Sequence, residues 1–129
     1  MKKAFGLLIF LGAIIPVLRA QNSKETAGKL LRHVVLLKFK ETSTAEDIKN
    51  VEAAFKKLPA KIKSIHGFEW GINNSPENLN QEFTHCFFVT FKSEKGRQQY
   101  LPHPDHKAFV DVLTSHLDKV LVVDYWTRK

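Results

Sequence analysis

Tyr100, His103 and His106 fall within the seven residues Tyr-Leu-Pro-His-Pro-Asp-His. A phenol and two imidazoles so close together can exchange protons near neutral pH, because imidazole titrates there. The chemistry this suits is acid–base. His106 would take a proton from a carbon beside a carbonyl, and Tyr100 would donate a hydrogen bond to the developing enolate oxygen. The reaction class would be carbon–carbon bond closure or isomerisation. Metal binding fits less well. His103, Asp105 and His106 offer nitrogen and oxygen ligands, but their spacing matches no strong signature such as H-E-x-x-H. Asp105 suits the first turn of a helix, where an acid complements the dipole. No metal and no cofactor are expected.

The elements that must position these groups can be read from periodicity. Leu31 to Phe39 is a β-branched and aliphatic run with apolar residues on both alternating faces, as in a strand covered on both sides. Ser43-Thr44-Ala45-Glu46 reads as a capping box opening a helix with Ile48, Val51, Phe55 and Leu58 on one stripe, stopped by Pro59. Phe68 to Ile72 and Thr84 to Phe91 read as two further strands, separated by a loop rich in Asn, Ser and Pro. Ser93 caps a short helix running to about Tyr100. Pro102 breaks it, and Pro104 suits the first turn of a new helix with a stripe of Phe109, Val112, Leu113 and Leu117. Val120 to Tyr125 is the last strand, apolar on both faces. The order is β-α-β-β-α-β with the second helix broken in two, a ferredoxin-like α+β unit with a four-stranded antiparallel sheet. Helices cover one face of such a sheet. A second copy of the chain is the simplest cover for the other, since exposed apolar patches of that size are rare on monomers.

The strand His33-Val-Val-Leu-Leu-Lys-Phe-Lys, the pair Thr84-His85, the Tyr100…His103-Pro104-x-His106 stretch and the closing Asp124-Tyr125 together resemble the stress-responsive dimeric α/β-barrel (Dabb) family. The resemblance covers residues 31–129. It implies a protomer that dimerises through its sheet into an α/β barrel. In a plant polyketide cyclase similar to this chain, a tyrosine and a histidine form the catalytic pair of an aldol-type ring closure. The matching positions are Tyr100 and His106, and pocket histidines of that enzyme match His33 and His85. A pocket tyrosine aligns with Phe55, so a hydroxyl is missing here and the same substrate is not expected. Many members of the family are stress-induced proteins with no assigned activity.

Two readings of the site stand side by side. In one, Tyr100 and His106 are the catalytic pair, with His33, His85, His103 and Phe55 around the substrate. In the other, the pocket binds a small hydrophobic or phenolic ligand without chemistry, or the histidines brace helix-to-sheet packing and His103-Pro104 is a turn and cap. If the first and third strands are neighbours, His33 and His85 are expected to approach one another under the second helix.

Composition narrows the setting. Residues 1–20 read as a bacterial-type secretory signal: Lys2 and Lys3, then an uncharged, mostly apolar run from Ala4 to Leu18, then Ala20 before the cut. That implies a periplasmic or secreted protein with no stable membrane anchor after processing. Residues 21–30 read as a disordered leader and 31–129 as one domain. The net charge of +7 falls to +4 without Lys2, Lys3 and Arg19. The remaining lysines are scattered among acids, with no basic run interleaved with aromatics, so nucleic acid is not an expected partner. Cys86 is the single cysteine, so the chain has no internal disulfide. It reads as a buried, inert thiol.

Overall fold

Leu31–Phe39 alternates between buried and half-buried residues along its whole length in the computed structural model, forming strand β1. The structure describes residues 26–128. The export signal read at 1–20, and the leader as far as residue 25, lie outside the described residues. Leu30, at the end of the leader, is tied to Thr127 just past the last strand. Leu30 N donates to Thr127 Oγ1 and Thr127 N donates to the Leu30 carbonyl, each at 2.9 Å.

After β1 come α1 (Ala45–Lys56), the single turn α2 (Leu58–Lys61), β2 (Gly67–Ile72), β3 (His85–Phe91), α3 (Glu94–Tyr100), α4 (Pro104–Thr114) and β4 (Leu117–Trp126). The strands lie in the order β2-β3-β1-β4, and every neighbouring pair is antiparallel. This is the ferredoxin-like α+β fold expected from the element order. One face of the sheet, with Leu31, Val35, Leu37, Phe87, Val89 and Phe91, is buried under the helices. The helices contribute Val51 and Phe55 from α1, Tyr100 from α3, and Phe109 and Leu113 from α4. The opposite face has no cover among the described residues. Val34, Leu36 and Phe88 are half-buried there, and Leu121, Val123 and Tyr125 are 43%, 49% and 45% exposed.

Three local expectations are corrected. The cap of α1 is Thr44, one residue after Ser43. Its hydroxyl accepts from Asp47 N at 3.1 Å, and the Asp47 carboxylate accepts from Thr44 N at 2.8 Å. Both tetrads fit the capping pattern, and the competition is decided by tertiary contact: the Ser43 hydroxyl donates instead to the His116 carbonyl. The stripe assigned to α4 runs too far. Thr114 and Ser115 turn their hydroxyls back onto the carbonyls of Val110 and Val112, the helix ends at Thr114, and Leu117 already belongs to β4. Val112 faces outward at 42% exposure. Finally, Cys86 is only half-buried, because it sits on the uncovered face. Burial, then the nearby Glu69 charge, push its thiol pKa up, which keeps it protonated and unreactive.

Candidate functional site

The break between α3 and α4 creates the site. Tyr100 is the last residue of α3 and rests on Phe91, with ring centroids 5.2 Å apart. Pro102 cannot continue the helix. His103 then caps α4, its Nδ1 accepting from Asp105 N at 3.1 Å, and Pro104 occupies the first turn. This turn brings His106 back over Tyr100, with ring centroids 4.3 Å apart. His33 reaches the same phenol from β1, edge-on at 5.9 Å.

Protons can be assigned from partners. His106 Nδ1 lies 2.9 Å from the Leu101 carbonyl, which only accepts, so Nδ1 carries hydrogen and Nε2 is the free nitrogen of the neutral ring. Burial lowers the His106 pKa, and His33 and His103 lower it further, against the opposing pull of the Leu101 carbonyl. The imidazole is therefore unprotonated at neutral pH. His33 Nδ1 donates to Asp124 Oδ1 at 2.8 Å, and Asp124 Oδ2 accepts from Arg97 at 2.8 Å. The Tyr100 hydroxyl is buried and has no hydrogen-bond partner among the described residues. Burial pushes its pKa up, so it stays a donor. An unmade hydrogen bond of this kind costs about 1–3 kcal/mol.

These groups share one cavity of about 750 Å³ between the helices and the sheet. Its polar end is formed by His33, Arg97, Tyr100, His106 and Asp124. Its apolar end is formed by Phe55, Phe109, Leu113, Leu117, Val120 and Val122. It opens along edge strand β4, where Val120 and Val122 are each 48% exposed. The size falls within the usual range for small-molecule sites.

Of the residues singled out in the sequence, Tyr100, His106, His33 and Phe55 meet here. His85 and His103 do not. His33 pairs with Val89 and His85 with Leu37, so the two imidazoles lie four residues apart along β1, about 13 Å. Alternation put both on the buried face, but only the register tells how far apart they fall. His85 is held by Glu52 at 3.2 Å and Thr84 at 2.8 Å, and it stacks on Trp70. His103 faces a separate surface groove with Lys61, Lys63 and Ser64, and serves as the cap of α4. Arg97 and Asp124 were not singled out as site residues. A signal for Asp124 was present, since a lone carboxylate on the same strand face as Val120 and Val122 requires a partner.

The family model described as Stress Responsive A/B Barrel Domain matches residues 31–127. The chain is 38% identical over 101 residues to the stress-response A/B barrel domain-containing protein HS1 of Arabidopsis thaliana, covering 78% of this chain and 93% of that one. It is 32% identical over 99 residues to olivetolic acid cyclase of Cannabis sativa, covering 77% of this chain and 98% of the cyclase. Among solved structures it is similar to a dimeric protein of unknown function and ferredoxin-like fold from Bacteroides fragilis. That similarity has a TM-score of 0.61 at 28% identity, and covers 74% of this chain and 94% of that one.

Proposed function

Because the chain belongs to the stress-responsive A/B barrel domain family, we propose that it works as a homodimer whose cavity binds a small hydrophobic molecule bearing a carbonyl or phenolic oxygen. Tyr100 and His106 then move a proton on that molecule without a cofactor. The observation that carries this reading is the buried, unpartnered Tyr100 hydroxyl beside an imidazole whose Nε2 is free. A ligand oxygen accepting from Tyr100 would recover the missing hydrogen bond. With that oxygen held, Nε2 of His106 takes a proton from the adjacent carbon. The C–H electron pair passes into the enolate, and the proton becomes the second N–H of the imidazolium. The similarity to a named cyclase supports chemistry of this class. Phe55 offers a ring without a hydroxyl, so polar recognition is confined to one end of the cavity, and the ligand differs from that of the cyclase.

The binding half of the proposal is tested by titrating small aryl ketones and phenols into the protein and following the side-chain resonances of Tyr100 and His106. Saturable shifts at both residues are expected, with Tyr100→Phe weakening a ketone by roughly fivefold or more, the worth of one net hydrogen bond. Equal binding to both proteins would leave the phenol without a role.

The homodimer reading rests on the uncovered sheet face, where β4 and β1 present Leu121, Val123, Val34 and Leu36. The dimeric Bacteroides fragilis protein of the same fold supports it. Light scattering at micromolar concentration should give twice the protomer mass. Val123→Glu places a charge at the centre of that face, opposite Val34. It should give a folded monomer, because an unpaired charge is expensive to bury in an interface core. A monomeric wild type would sink this assignment.

A further inference from the structure

Arg97 and Asp124 are the only Arg, Lys, Asp or Glu side chains among the described residues lining the cavity, and they are spent on each other. We infer that Asp124 sets the ligand class of the site, so that it accepts an uncharged carbonyl or phenol and turns away a free carboxylate. This inference rests on the cavity reading above and deepens it. One carboxylate oxygen of Asp124 takes the guanidinium of Arg97 and the other takes His33 Nδ1–H, each at 2.8 Å. Arg97 and Asp124 are 27% and 23% exposed, so both stand partly withdrawn from water. A carboxylate seeking Arg97 must settle beside the like charge of Asp124. An ammonium seeking Asp124 must settle beside Arg97. The other polar groups facing this end are His33, already turned to Asp124, and Tyr100, His106 and Gln98, none of them a further carboxylate or a permanent cation. A neutral oxygen meets no such conflict, and it has the unpartnered Tyr100 hydroxyl to accept from.

The test uses three probes on one aromatic ring: acetophenone, benzoate and benzylamine, titrated into the full protein at neutral pH and low salt. Wild type should bind acetophenone more tightly than either ion. Asp124→Asn frees the guanidinium, and its benzoate affinity relative to acetophenone should rise roughly tenfold. Arg97→Gln leaves the carboxylate with only its His33 hydrogen bond and should raise relative benzylamine affinity by a similar factor. The wild-type ranking needs no variant, so a variant that fails to fold leaves the inference exposed to refutation. Preference for benzoate in wild type, or rankings unmoved in folded variants, would overturn it. Such binding that ignores charge would leave the cavity reading intact. If none of the three probes shifts the resonances of Tyr100 or His106, both readings fall together.

Discussion

Phe55→Ala is expected to lower the unfolding free energy by about 3–5 kcal/mol, the usual cost of deleting a buried phenyl ring. Phe55 is 1% exposed, lies parallel to Phe87 at 4.2 Å, and touches Phe109 at 4.4 Å and Phe68 at 5.5 Å. It therefore ties α1 to β3, β2 and α4 at one point. Losing it removes both the transfer energy of the ring and the offset stacking, which is worth about 0.5–1.5 kcal/mol per pair beyond area. A domain of this size holds only about 5–15 kcal/mol in total. The melting temperature should fall by roughly 15–30 °C. The measurement is thermal or urea unfolding of wild type and variant at one matched protomer concentration, since assembly of the proposed homodimer would make stability concentration-dependent. Phe55→Leu, which refills most of the space, should lose less than half as much. A loss below about 1 kcal/mol for the alanine variant would mean the ring is not packed as described. Because Phe55 also lines the cavity, the alanine variant that does fold should accept bulkier aryl ligands than wild type.

What was legible in the sequence follows from which signals are local. The two faces of β1 and β3 could be read because strand side chains alternate with a period of two, and Leu31 to Phe39 obeys this without interruption. The turn that joins Tyr100 to His106 could be read because Pro102 and Pro104 act on their own backbone. The boundary between α4 and β4 could not, because no glycine or proline marks it. The stop comes from Thr114 and Ser115 bonding back to earlier carbonyls, which a periodicity scan does not register. Likewise the separation of His33 from His85 is a register fact, fixed by pairing between residues far apart in the chain. The Arg97–Asp124 pair spans 27 positions and two element types. Only Asp124 left a trace, as an acid out of place in an apolar strand.

His106→Ala is expected to slow proton removal by about 100- to 10,000-fold, the range for a positioned general base. The step can be followed without knowing the natural substrate, as exchange of the α-hydrogens of acetophenone for deuterium in heavy water. Burial holds the His106 pKa below the ordinary histidine value of about 6.5. The base is thus lost only as pH drops below that value, and the acid limb of the wild-type rate should lie there and be absent from the alanine variant. The sign for stability agrees. A histidine whose folded pKa is depressed favours the folded state fully above its unfolded value, and that contribution is lost as pH falls through the interval below about 6.5. Tyr100→Phe separates chemistry from packing. It keeps the ring against Phe91 and His33 and deletes an oxygen that has no partner among the described residues. Stability should therefore hold, or rise by about 1 kcal/mol, while exchange falls by roughly 100-fold for want of a donor to the enolate oxygen. A phenol kept only for packing would give the opposite pattern, with exchange untouched. A variant that is both slower and markedly less stable would mean the hydroxyl is bonded within the fold, and the cavity would lose its donor.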